Sequence, residues 1–444
     1  MSRLAWFSPM PPARTGVAPY SAEVVDGLRG LHQIDVYPEA RAHDFIWTHL
    51  KEPYDLVVYQ LGNSTLHEYI WPYLFRYPGL VVLHDGRLHH ARAAALLRRE
   101  RRDDYRAEFA ASHHGVSPDA AELGIVGLDN YLYYNWPMRG LVVEVSRATA
   151  VHAPILAEEL RAAHPRAVVE TIRLSQGEVL SEHRVREARA RIRTRYGIAD
   201  DVALFGVFGG LTPEKRVPQV LRALASTLLY SADVRLMLAG AAPAHYDVVA
   251  DIASQGLEKE VTLTGYLDED DEFTDHLAAC DVSVNLRWPT AREVSGPWLR
   301  ALAAGKPTIT MDLAHMADVP ALDPRTWTVA PLGSPSDALP MPVTVAVDVL
   351  DEDHSLRLAM LRLANDEDLR DRLGAAARDY WLRQHSRKNM IDDYRRVIAR
   401  ALSTPRERDS TRSALPPHLT DSADRKLHDL LEPFGLRADP WSKL

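Results

Sequence analysis

The chain has one cysteine, Cys280, in 444 residues. That excludes a disulfide framework within the chain and any metal or iron–sulfur site built on several thiolates. It also lacks a run of about 18 apolar residues, so no membrane-spanning helix is expected. The apolar stretch of the opening MSRLAWFSP is too short for a secretion signal and reads as a first strand, which predicts a cytoplasmic protein. Glycine is outnumbered by proline, 23 to 29, which argues against a binding surface made of glycine-rich loops. There is no basic excess: 52 Lys and Arg against 61 Asp and Glu leave a charge of −9, which disfavours nucleic acid as a partner. What is present is an ordinary globular mix, 46% hydrophobic and 25% charged, with material for a sizeable core.

Short apolar runs alternate with helical patterns along most of the chain. Strands are expected at Leu4–Ser8, His32–Pro38, Asp55–Gln60 and Leu80–His84, with a helix around Ser21–Leu31. Residues 91–140 break the rhythm with a charged helical stretch, Leu96–Phe109, and an aromatic segment, Asn130–Trp136. Strands resume at Leu141–Ser146, Ala148–His152 and Val168–Leu174. After a charged helix, Glu182–Tyr196, a second cycle follows, with strands at Ala203–Phe208, Arg235–Gly240, Val261–Gly265, Val282–Asn285 and Pro307–Met311. Such alternation predicts an α/β protein whose parallel sheets are covered by helices on both faces. The expected organisation is a first doubly wound domain at 1–180 with a helical insertion at about 91–140, and a second at 181–380. A crossover helix at 381–403 and a tail at 404–444, with an apolar patch at Leu430–Leu436, complete it.

Open parallel sheets bind ligands at the carboxyl ends of their strands, so the informative residues are those just after each strand. The first such loop is proline-rich and runs to Gly16 at the start of a helix, where free N–H groups favour an anion. It carries neither a GxGxxG nor a GxxxxGK[ST] pattern, which weakens a dinucleotide or P-loop reading. Gln60, Asn63 and His67 follow one strand; His84 and Asp85 end the next, where an imidazole can donate to a substrate oxygen or move a proton. His89 and His90 are adjacent and cannot readily converge with His84, so no metal site is expected. In the second half, Gly209 and Gly210 let a ligand approach the backbone, and Lys215 and Arg216 add charge suited to phosphate. Ser295 and Gly296 precede a helix and offer N–H donors, Glu293 can accept from hydroxyls, and Arg300 lies one turn inside. Lys215, Arg216, Arg292 and Arg300 would form a local positive site in an acidic chain.

These second-half residues resemble the retaining nucleotide-sugar glycosyltransferases of the GT-B fold, family 4 (glycosyltransferase group 1). The family's phosphate loop, G-R-L-x-x-x-K-G, is similar to Gly209–Arg216 with Lys215 at the lysine; its E-x7-E segment, ending E-A-x-A-x-G-x-P, is similar to Leu299–Pro307. Three positions depart: Gly210 stands where the loop has arginine, Arg292 where the first glutamate is expected, with Glu293 one residue later, and Arg300 where the second glutamate, which holds the nucleotide ribose, is expected. The resemblance implies two facing Rossmann-like domains with a C-terminal crossover helix. It implies a nucleoside-diphosphate sugar as donor substrate, no tightly bound cofactor, and transfer with retention to an unknown acceptor. His84, Glu293 and Lys215 would be catalytic. Gly16, Gly209, Gly210, Lys215, Arg216, Ser295, Gly296 and Arg300 would bind the donor, and Asn63, His67 and Asp85 would line the acceptor side. A nucleotide-sugar epimerase, a phosphorolytic enzyme of the same fold and a non-catalytic scaffold stay open as alternatives, as does a homo-oligomer.

Overall fold

A computed structural model describes residues 1–405 and 415–420, except 128–131, 232, 245, 268, 269, 314, 315, 317 and 330–340. The apolar patch expected at Leu430–Leu436 lies outside the described residues. Contacts divide the chain into two compact units. The first comprises Met1–Ile172, Ala291–Glu293 and the described residues from Ile391 onward; the second comprises Arg173–Thr290 and Val294–Met390.

The first unit is built on a six-stranded sheet of β1 (Ser2–Phe7), β2 (His32–Tyr37), β3 (Leu56–Leu61), β4 (Leu80–Leu83), β5 (Ala148–Val151) and β6 (Val169–Thr171). Its order is β2-β1-β3-β4-β5-β6, and every pairing is parallel. The central strands β3, LVVYQL, and β4, LVVL, are buried at every position. Continuous apolar runs of this kind mark strands covered on both faces. The second unit holds β7 (Ala203–Phe208), β8 (Val234–Ala239), β9 (Val261–Leu263), β10 (Val282–Asn285), β11 (Thr308–Met311), β12 (Ala321–Leu322) and β13 (Thr344–Val347). These lie parallel in the order β12-β13-β11-β10-β7-β8-β9. Strand order reverses between β1 and β3 in one sheet and between β7 and β10 in the other, which marks the ligand-binding crevice of each.

Two expectations are corrected. Leu141–Ser146 is not a strand: Gly140–Val145 is a helix, closed where the Ser146 N–H and hydroxyl both donate to the Val142 carbonyl. A short run of three apolar residues, Leu141–Val143, is buried equally well in either conformation, so its pattern could not decide. The charged stretch Leu96–Phe109 is two helices, His89–Leu97 and Arg102–Ser112, separated by Glu100 at a φ of 57°. They pack around Leu96, Tyr105, Phe109 and Met138, a satellite core of the first unit. The helix Glu352–Asn365 and strands β12 and β13 carry no corresponding sequence expectation. No described helix is long and apolar enough to cross a membrane.

Candidate functional site

In the first unit, the ends of β3 and β4 bring Gln60, Asn63, His84 and Asp85 together. The Asp85 carboxylate accepts the Asn63 backbone N–H at 2.7 Å. His84 is engaged at both ring nitrogens: Nε2 lies 2.8 Å from the Gln60 amide oxygen and Nδ1 lies 3.2 Å from His152 Nε2. His152 Nδ1 in turn meets the Ile172 carbonyl at 2.9 Å. On the other side, the Gln60 amide nitrogen lies 3.2 Å from the Tyr394 hydroxyl, itself 2.8 Å from that of Tyr20. Burial, then the charges of His152 and His67, hold His84 well below the ordinary imidazole value. His67 is buried with Nδ1 on the Gln60 carbonyl at 2.9 Å, and burial pushes it down to about 4. Gly16 immediately precedes the helix Val17–Leu28, and a Cβ there would meet nothing within 4 Å.

Glu293 belongs by its contacts to this first unit, in the short piece Ala291–Glu293. The piece is held by Gly86, whose N–H donates to the Ala291 carbonyl at 2.7 Å, and by an ion pair of Arg292 with Glu159 at 2.7 Å. Arg139 lies 3.7 Å from the same Glu159. Burial pushes Arg139 down to about 10; Glu159 raises it, while Arg87 and Arg292 lower it further.

In the second unit, the loop after β7 turns at Gly209, where φ is +87° and a side chain would be strained. The turn lets Lys215, almost wholly buried, reach back so that its ammonium donates to the Phe208 carbonyl at the strand's end. The Trp288 N–H donates to the Glu214 carbonyl at 2.8 Å and ties this loop to the one after β10. Gly210 is open: a Cβ would meet only Thr212 at 3.9 Å and the Ala241 carbonyl at 4.0 Å. Ser295 caps the helix Gly296–Ala303, its hydroxyl accepting the Trp298 N–H at 3.3 Å. A Cβ at Gly296 would fall 2.3 Å from Gln176 Oε1, so a larger residue there would have to displace the Gln176 amide. Gln176 carries no sequence signal beyond its place before a glycine.

The positive site read from the sequence is largely neutralised. Arg216 pairs with Glu352, Nε to Oε1 at 2.8 Å, and Arg292 with Glu159. Arg300 pairs with Asp270 at 3.0 Å and lies over the Phe273 ring at 4.9 Å. Sequence reasoning missed these three acidic partners because each is remote in the chain and no local spacing announces it. Among the described residues, no three His, Cys, Asp or Glu side chains gather as metal ligands would.

Residues 203–338 match the family model described as Glycosyl transferases group 1. No curated protein matches the sequence. Solved structures match at low identity. Anabaena HepE, determined with UDP and glucose, is 12% identical over 90% of this chain and 100% of its own, with a TM-score of 0.59. Sucrose-phosphate synthase from Thermosynechococcus elongatus is 14% identical over 90% and 100%, also at 0.59. The catalytic domain of starch synthase IV from Arabidopsis thaliana, bound to ADP and acarbose, is 13% identical over 90% and 99%, at 0.61. With two parallel α/β sheets of this order, the fold is GT-B.

Proposed function

We propose that this chain transfers a glycosyl group, with retention, from a nucleoside-diphosphate sugar to a hydroxyl of an acceptor. The observation that carries the reading is the family match over 203–338, which spans both the Gly209–Arg216 loop and the Ser295–Gly305 segment. Lys215 and the N–H groups at Ser295–Gly296 would stabilise the departing diphosphate, where negative charge develops. Gly209, Gly210 and Gly16 would admit the donor's phosphates to the backbone, and Glu293 would orient sugar hydroxyls. No carboxylate pair stands out as nucleophile and acid for a double displacement. Retention then follows attack on the face the diphosphate leaves, with the leaving phosphate taking the acceptor's proton. The enzyme would work in the cytoplasm without a tightly bound cofactor.

His84, engaged at both ring nitrogens, would contact the donor sugar near the reacting carbon from a fixed position rather than act as a free acid or base. The test is a melting-temperature series with UDP, GDP and ADP, followed by each corresponding nucleotide sugar with release of the diphosphate measured. Stabilisation by one diphosphate and turnover of its sugar support a transferase. A flat series favours the scaffold reading.

A further inference from the structure

A cavity of about 380 Å³ opens in the first unit between the loop after β3 and the helix His89–Leu97. Its volume is that of a small-molecule site. Asn63 organises it. Its Oδ1 accepts the Ala91 N–H at 3.0 Å, which fixes the amide so that Nδ2 donates to His90 Nδ1 at 3.2 Å. With Nδ1 accepting, a neutral His90 carries its proton on Nε2. Ser64 and Thr65 line the cavity with exposed hydroxyls that make no side-chain hydrogen bond to a described residue. Arg98 stands at the mouth, exposed, and pairs with no described carboxylate, whereas the neighbouring Arg99 and Arg101 pair with Glu68 and Asp104. Ala94, Leu97 and the Tyr133 ring supply an apolar wall.

An apolar wall facing several donors suits a molecule rich in hydroxyls, and an unpaired guanidinium at the mouth suits an anion. We propose that this cavity holds the acceptor, and that the acceptor is a small hydroxylated molecule bearing a phosphate or carboxylate. The inference rests on the transfer reaction proposed above. Asn63 joins the cavity to the strand ends, because its backbone N–H is held by Asp85 beside His84.

The test is calorimetric titration of the full chain with glucose 6-phosphate, glucuronate and uncharged glucose. One of the two anions is expected to bind at least about tenfold more tightly than glucose, and the tighter one identifies the anionic group. Arg98→Ala, at an exposed position, is expected to bring that affinity down to that of glucose. Ala94→Trp, which fills the cavity, is expected to abolish binding. Equal affinity for all three sugars, no binding by any, or affinity unchanged in Arg98→Ala overturns the proposal. The nucleotide series separates the two readings: sugar binding with a flat nucleotide series sinks the transfer reaction alone, and the reverse pattern sinks the cavity alone.

Discussion

His84 Nδ1 and His152 Nε2 stand 3.2 Å apart, and the carbonyl beyond His152 decides which of the two donates when both are neutral. His152 must donate from Nδ1 to the Ile172 carbonyl, so in its neutral form Nε2 accepts, and His84 donates from Nδ1. A neutral His84 then has a lone pair on Nε2, against the side-chain amide of Gln60. The contact is satisfied if Gln60 turns its nitrogen to His84 and its oxygen to the Tyr394 hydroxyl; otherwise the pair must hold an extra proton. Burial disfavours that proton, and His152 and His67 add to the effect. The expected outcome is a neutral His84 protonated on Nδ1 at pH 7, checked by the nitrogen shifts of its imidazole. An imidazolium signal would contradict the assignment. Tyr394→Phe should cost about 1–3 kcal/mol of stability, because it leaves the buried Tyr20 hydroxyl without its partner.

The buried histidines also set an acid limit. Burial pushes His67 down to about 4 and His89 to about 3 in the folded chain, against an ordinary value near 6.5. Below about pH 6.5 the unfolded chain takes up protons that the folded chain refuses. Their contribution to stability is thus present in full above that pH and is lost as the pH falls toward 4. The loss approaches about 1.4 kcal/mol per pH unit for each histidine. Urea unfolding at pH 7, 6 and 5 should show this slope, and His67→Gln should reduce it by about one proton. An unchanged slope would remove His67 from the account.

Arg216 separates structure from binding. It caps the helix Val217–Leu228 in the left-handed region at a φ of 58°, and its guanidinium is held by Glu352. Both side chains are mostly buried, so removing one leaves a charge without its partner, at a cost of about 3–5 kcal/mol. Glu352→Gln, which cannot touch a diphosphate through a charge, should lower the melting temperature nearly as much as Arg216→Ala. If only Arg216→Ala affects nucleotide binding and neither affects melting, Arg216 is a ligand contact rather than a loop clamp.

The strand ends were legible from the sequence because burial on both faces writes itself as continuous apolar runs. Ala203–Phe208, Glu182–Tyr196 and Val282–Asn285 form as read, residue for residue. The loops after β3, β4, β7 and β10 could be singled out because open sheets bind at those ends. The partners of the charged residues could not. Asp270, Glu352 and Glu159 meet their arginines only through the fold, as do His152 and Tyr394 beneath His84. A hydrogen-bond partner more than a turn away in sequence has no periodicity to betray it.

Gly210 offers a gain-of-function test. The resembling family has arginine here, and nothing lies within 3.9 Å of a Cβ built on this glycine. Gly210→Arg should fold with an unchanged melting temperature and bind the preferred nucleoside diphosphate about tenfold more tightly, read by calorimetry. Lys215→Ala, by contrast, should lose about 100-fold in turnover, the scale of removing one donor from a developing anion. Turnover that survives Lys215→Ala would move the diphosphate away from this loop.

The ion pair of Arg300 with Asp270 bears on the missing glutamate. An arginine has no acceptor and cannot hold ribose hydroxyls as the family's glutamate does. Here the guanidinium is packed over Phe273, and its partner Asp270 presents a mostly exposed carboxylate 3.0 Å away. That carboxylate, on the helix Asp270–Ala279, would supply the acceptor in place of the glutamate, with Arg300 orienting it. Asp270→Asn should therefore weaken nucleoside-diphosphate binding about tenfold at an unchanged melting temperature, and Arg300→Gln should do the same. Because the two act as one unit, the double variant should be little worse than either alone. Additive losses would show that Arg300 meets the nucleotide independently, and full affinity in Asp270→Asn would leave the ribose to another residue.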